Sequence, residues 1–211
     1  MDIALTRDEV MAKLDEWVSR HGDGTYTSPT NRATPEDSAI QQVRSEVADF
    51  VEVVLGVPGH TDALEVGMGR FGGTHYLWSL MYDHVGSIEC LHPPIRAYRG
   101  EPTFNPERDV FFHGSSHDPF TVFSVHTHFV PEGVDLLFID GAHDKPSVLT
   151  DFILYGPLVK TGGVVAFHDV VEDCPGGPKW VTDFLRGVVN IHTITYAKDC
   201  GIAWFQKGVA V

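Results

Sequence analysis

The chain has 211 residues, a formal net charge of −14 and 43% hydrophobic residues, which is enough for one sizeable core and short for two. No cluster of lysine and arginine interrupts the acidity, so neither nucleic acid nor an anionic membrane is expected as a partner. The first residues lack a basic start followed by an apolar run, and no segment approaches the roughly 18 apolar residues of a bilayer span, so a cytoplasmic protein is expected.

Residues 6–20 put Val10, Met11, Leu14, Trp17 and Val18 on one face and predict an amphipathic helix. Thr34-Pro35-Glu36-Asp37 combines an N-cap, proline at the first helical position and acids in the first turn, which predicts a second helix from there. Its stripe is Ile40, Val43, Val47, Phe50, Val51 and Val54, and Gly56 with Pro58 ends it. From residue 63 short apolar runs alternate with helical segments, as parallel βαβ units require. Strands are predicted over 63–66, 85–90, 109–113, 134–139 and 164–168, the last preceded by Gly162-Gly163. Helices are predicted over 74–82, from Asp118-Pro119 to about 128, over 146–159 and over 179–188. Runs at 191–196 and 202–205 lie too close together for a helical crossover and suit an antiparallel hairpin.

Cys90, Cys174 and Cys200 are too few and too irregularly spaced for a disulfide framework or a zinc knuckle, and are expected as thiols. His126 and His128 lack a third ligand nearby and are expected to end their helix rather than hold zinc. Trp78, Trp180 and Trp204 fall inside apolar elements and are expected in the core. Asp173-Cys174-Pro175-Gly176-Gly177-Pro178 follows the fifth strand, either as a flap over a substrate or as a connector.

Glu65-Val-Gly67-Met-Gly69 places glycines where a strand turns into a helix, and Gly72 completes dinucleotide spacing, so backbone can approach a ligand closely. Glu89, at the end of the second strand and 20 residues beyond Gly69, can accept both hydrogen bonds of a ribose diol. A nucleoside-containing cofactor is favoured over glycines that only make a tight turn.

At these residues the chain resembles the class I S-adenosylmethionine-dependent methyltransferases over about residues 60–207. The resemblance implies that Glu65 faces the methionine part of the cofactor, that Gly67 and Gly69 lie against it, and that Glu89 holds its ribose hydroxyls. It also implies that Gly114, Ser115 and Ser116, after the third strand, flank the adenine. The terminal hairpin is similar to this family's sheet, whose last strand runs against the parallel direction.

Neighbouring strands of a parallel sheet open at their carboxyl ends onto one crevice, which brings Asp140 and His143 towards His168 and Asp169. Asp140, His168 and Asp169 would offer a divalent cation two carboxylates and one ring nitrogen. Such a cation could grip and acidify a substrate hydroxyl, with His143 as base, since its ordinary pKa of about 6.5 leaves it able to accept a proton near neutrality. Consecutive strand residues face opposite sides, so His168 and Asp169 reach one ion only if the strand has ended at Asp169. The plainer reading has Asp140 capping the next helix or touching the cofactor, His143 on the surface and His168 in the core.

Phe138-Ile-Asp140-Gly-Ala-His143 and Phe167-His168-Asp169 resemble the metal-and-base motifs of metal-dependent O-methyltransferases, including the macrolide-sugar type, and of relatives known as cephalosporin hydroxylases. The departure is His168, where those families carry an acid. Together these readings predict an α/β fold with a Rossmann-like seven-stranded mixed sheet, an antiparallel last strand and helices on both faces. Residues 1–58 are expected as N-terminal helices packed on a core of residues 59–211. The expected activity is S-adenosylmethionine-dependent methylation of a small-molecule hydroxyl, assisted by magnesium or manganese, in a chain free to form a homo-oligomer. The competing readings are an NAD(P)-dependent oxidoreductase, a hydroxylase-type relative and a non-catalytic module that binds the cofactor.

Overall fold

The computed structural model of the chain describes residues 5–21, 40, 42–69, 71–171, 176–196 and 200–208. One sheet carries seven strands in the order β3-β2-β1-β4-β5-β7-β6. They are β1 (Asp62–Val66), β2 (His84–Glu89), β3 (Asp109–His113), β4 (Val134–Ile139), β5 (Val159–His168), β6 (His192–Ile194) and β7 (Ile202–Gln206). Strands β1 to β5 pair in parallel, and β7 runs antiparallel to both β5 and β6.

The central strand β4 is buried along its whole length, so the sheet must be covered on both faces, as parallel strands generally are. Leu136 and Phe138 point into one core, shared with α1 (Arg7–His21), α2 (Arg44–Gly56), α3 (Gly73–Ser79) and α4 (His92–Arg99). Leu137 and Ile139 point into the other, shared with α5 (Pro119–Phe129), α6 (Lys145–Tyr155) and α7 (Gly177–Leu185). The N-terminal helices are integral to the first core. Trp17 of α1 stacks on Tyr76 of α3 with ring centroids 4.4 Å apart. Phe50 of α2 lies 6.0 Å from both Trp78 and Phe138.

Several boundaries differ from the sequence reading. Val43 is extended and α2 begins at Arg44, so Ile40 and Val43 precede the helix, although Ile40 is buried; the predicted cap at Thr34 lies outside the described residues. Tertiary contacts of this short stretch override its helical spacing, and Gln42 at its bend reaches across to the end of β4. Helix α4 is an addition, started by Pro93 and Pro94 in its first turn and anchored by Pro94, Ile95 and Tyr98. Strand β5 begins at Val159 rather than after the glycine pair, because a register shift opposite Val134–Leu136 accommodates Gly162 and Gly163 within the strand. Trp180 is a correction as well. It is 41% exposed and stacks on Phe184 one turn along α7, whereas Trp78 is buried as expected.

Asp118 caps α5 by accepting from the backbone N–H groups of Phe120 and Thr121. His126 lies 2.9 Å from the Leu154 carbonyl and ties α5 to α6, and His128 packs edge-on against Phe112 of β3. Cys90 is exposed and Cys200 buried, with no disulfide among the described residues; Cys174 lies outside them. No described helix is long and apolar enough to cross a membrane.

Phe50 ties α2 to the sheet through two aromatic contacts, so Phe50→Ala should lower the unfolding free energy by about 3–5 kcal/mol. Urea denaturation of the variant, with unchanged m-value, is the check.

Candidate active site

Three strand ends build the site. Ile139 of β4 pairs with Phe167 of β5 on one side and with Val66 of β1 on the other, so the residues that follow all three strands emerge together. The Asp140 N–H donates to the Val66 carbonyl at 2.9 Å. Gly67 turns away at φ +87°, and a Cβ there would lie 2.3 Å from the Asp140 carbonyl oxygen. Only glycine fits that position. Gly69, at φ +64°, has nothing within 4 Å of where a Cβ would stand. The first glycine therefore lets two backbones meet, and the second borders open space that a ligand can fill.

Asp140, His143 and Asp169 each present one ligand atom within 4.8 Å of the other two. His143 Nε2 is 3.2 Å from Asp169 Oδ2 and 3.8 Å from Asp140 Oδ1. His168 Nδ1 is 3.1 Å from Asp140 Oδ1 and 3.3 Å from Asp169 Oδ2. Asp169 joins this group because β5 has ended: its φ of +58° lies in the left-handed region, and the reversal lets adjacent residues 168 and 169 serve one point. A non-glycine residue pays roughly 1–2 kcal/mol for that conformation, although aspartate is among the residues that tolerate it best. Two carboxylate oxygens and an imidazole nitrogen at this spacing suit a divalent cation of the magnesium, manganese or iron type.

The two histidines differ. His143 is half-exposed on the open side, with its side chain at 46%, whereas the His168 side chain is only 2% exposed. An ionised carboxylate only accepts, so the Nδ1–H of His168 is shared between Asp140 and Asp169. Burial pushes Asp140 up, but the charge of His168 and bonds from His143 and His168 outweigh it, and the carboxyl titrates below its ordinary range. The Asp140 bond raises the His143 pKa, against burial and together with the charge of Asp169. Burial opposes a charge on His168, yet Asp140, Asp169 and Cys200 hold its pKa well above the usual histidine value. His168 is a buried partner of the two acids, and His143 is the more exposed of the two histidines.

Asp140 does not cap α6. Asp144 takes that role, accepting from the Ser147 N–H at 3.1 Å. The flap expected at 173–178 lies partly outside the described residues, but Gly176 and Gly177 pack on the backbone of His143 and Asp144, and the Gly177 N–H donates to the His143 carbonyl at 2.6 Å.

Two residues escaped the sequence reading. Gln42 is buried and donates its amide N–H to Asp140 Oδ2. Glu46 is fully buried and accepts from Tyr196 N–H at 2.8 Å and Gly201 N–H at 2.9 Å, and it forms a second close group with His168 and Cys200. A polar residue on an otherwise apolar helix stripe was the available signal for Glu46. Gln42 carried none, because its partner is 98 residues away.

Glu89 is buried at the end of β2, with one oxygen accepting from Leu91 N–H at 2.8 Å and the other from Met68 N–H at 3.3 Å, which ties it to the glycine loop. Ser115 is exposed and Ser116 half-buried in the loop after β3. That loop is pinned by Tyr155, whose hydroxyl donates to the Ser116 carbonyl at 2.5 Å, and by His117 at 3.1 Å from Asp151.

Glu65 of β1 is 0% exposed, accepting from the Ser87 hydroxyl at 2.6 Å and the Trp78 indole at 3.1 Å, on the α1–α4 side of the sheet. Its network runs on through Ser87 to His75, 2.5 Å away, and from His75 to Asp109 at 3.3 Å.

The strand order, with one antiparallel strand between β5 and β6, defines the class I methyltransferase fold, an enzyme fold. An O-methyltransferase from Bacillus cereus in complex with SAH superposes with a TM-score of 0.61 at 15% identity, over 98% of this chain and 94% of that one. The N-methyltransferase NodS from Bradyrhizobium japonicum gives 0.63 at 12% identity, over 95% and 99%. MycE from the mycinamycin biosynthetic pathway, in complex with Mg and SAH, gives 0.59 at 16% identity, over 92% of this chain and 54% of that one. Residues 84–170 match the family described as Methyltransferase domain. The fold is that of the class I methyltransferases, and the family match falls on its central part, from β2 to the end of β5. An uncharacterized protein of Acanthamoeba polyphaga mimivirus is 48% identical over 68 residues, which span 32% of this chain and 30% of that protein.

Desolvation pushes the Glu65 pKa up to about 8, against hydrogen bonds from Ser87, Thr74 and Trp78. The folded state therefore holds a proton that the unfolded chain, with its ordinary pKa of 4.5, releases. The stability it contributes is fully present below that lower value and is lost as pH rises through about 8. Glu65→Gln, which has no proton to lose, should show a Tm advantage over the parent that widens from pH 5 to pH 9. A constant difference across that range would contradict the buried, protonated acid.

Proposed function

We propose that the protein is an S-adenosylmethionine-dependent O-methyltransferase acting on a hydroxyl of a small molecule, with a divalent cation at Asp140 and Asp169 and His143 as general base. The observation that carries this reading is the convergence of Asp140, His143 and Asp169 within 4.8 Å beside the glycine loop. When bound, S-adenosylmethionine supplies an electrophilic methyl group on a positive sulfur, and a divalent cation lowers the pKa of the acceptor's hydroxyl.

The chain's own residues do the rest. Gly67 lets the β1 and β4 backbones meet, Gly69 borders the open space for the cofactor, and Glu89 has lone pairs left on both oxygens for a ribose diol, beyond those used by Met68 and Leu91. Asp140 and Asp169 would hold the cation, and His168 orients both acids through its buried Nδ1–H. His143 takes the acceptor's proton on Nε2, and the two carboxylates nearby stabilise the imidazolium that forms. The acceptor oxygen, so freed, would be oriented for in-line attack on the methyl group, and the gain in rate would come chiefly from orientation and exclusion of water.

His143→Ala should keep binding to S-adenosylhomocysteine within about twofold while turnover falls by a factor on the order of 10² or more. Calorimetry and transfer of radiolabelled methyl to a panel of phenolic and sugar hydroxyls separate the two, and unchanged transfer would refute the base. EDTA should abolish transfer, with Mg or Mn restoring it. Activity indifferent to chelation would remove the metal from the mechanism.

A further inference from the structure

Gln42 meets Asp140 with only half of its amide. The nitrogen donates to Asp140 Oδ2, and this fixes the amide orientation, because the flipped rotamer would set the carbonyl against a carboxylate. The carbonyl oxygen Oε1 is then left buried with no hydrogen-bond partner, on a side chain that is only 4% exposed. An unmet acceptor in such a place is destabilising, and buried polar groups of this kind are normally matched by a donor.

The surroundings say which donor. Gln42 shares Asp140 with the glycine loop: its side chain bonds the Asp140 carboxylate, while Gly67 lies against the Asp140 backbone carbonyl. The charged group that the amide touches is the Asp140 carboxylate, which His143 and His168 also approach. A neutral carbonyl beside a carboxylate favours a cationic N–H donor, which can bond the carbonyl and be attracted by the acid at once.

We propose that Gln42 is a ligand-binding residue whose carbonyl accepts a hydrogen bond from the α-ammonium group of the cofactor's amino-acid end. The assignment rests on the S-adenosylmethionine reading above and adds a residue from the stretch before α2 to that site. Asp140 Oδ2 thereby acts as the orienting partner of the amide, and one acid serves both metal and cofactor.

The test is calorimetric and needs no acceptor. S-adenosylhomocysteine and its analogue lacking the α-amino group are titrated into the full chain and into Gln42→Leu. The parent should bind S-adenosylhomocysteine roughly tenfold or more tightly than the desamino compound, and Gln42→Leu should lose that preference while its affinity for the desamino compound stays unchanged. Retained desamino binding also shows that the variant is folded. Equal loss for both ligands would make Gln42 a purely structural support and overturn the assignment. Undiminished S-adenosylhomocysteine binding by Gln42→Leu would overturn it too, and a raised KM for the acceptor in that case would give the carbonyl to an acceptor hydroxyl. A parent that binds neither compound would instead refute the cofactor reading itself.

Discussion

The site depends on one residue's being held from every side. Asp140 bonds Val66 through its N–H, presses its carbonyl on Gly67, and spreads its carboxylate over Gln42, His168 and the approach to His143. Those contacts come from the stretch before α2 and from the ends of β1, β4 and β5, four separate parts of the chain. Fixing a short carboxylate in this way removes the rotamer freedom that a lone acid at a strand end would keep, and a preorganised group needs no rearrangement when a ligand arrives.

Parallel β topology explains why such a residue can exist. Sequentially distant strand ends emerge side by side at one edge of the sheet, and each brings a loop with its own chemistry. The two cores on either face hold that edge rigid, since Leu136 and Phe138 anchor β4 from one side and Leu137 and Ile139 from the other. Buried polar chains add to this. Glu65, Ser87, His75 and Asp109 link β1, β2, α3 and β3 beneath the glycine loop, and Glu46 binds the β6–β7 hairpin to α2.

Much of this was legible in the sequence, for identifiable reasons. The strands at Val134–Ile139 and Asp109–His113 are apolar runs bounded by polar residues, and their limits match the structure residue for residue. Asp140, His143 and Asp169 could be placed together because strand ends in a parallel sheet must converge. What the sequence hid was direction and long-range pairing. Glu65 sits in the glycine motif, yet the alternation of side chains along β1 turns it into the core towards Trp78 and Ser87. His168 likewise ends its strand facing inward, so its chemistry follows from the acids it touches. Gln42 and Glu46 act on partners far away in sequence, and periodicity describes only neighbours on the same helix or strand.

The left-handed backbone of Asp169 carries a consequence for anyone altering the site. At φ +58° the side chain and the main chain are both selected, and replacing the residue changes two properties at once. Alanine would remove the carboxylate and also favour a different local backbone, which would swing the chain after β5 and carry His168 with it. Asparagine is the residue that separates these effects, because it shares the tolerance of aspartate for this conformation while giving up the charge. Glycine supplies the complementary control, keeping the turn while deleting the side chain. The same geometry narrows which residues natural variation can place here, so a small set of amino acids at this one position would mark a chain that retains the fold's turn, whether or not it retains the chemistry.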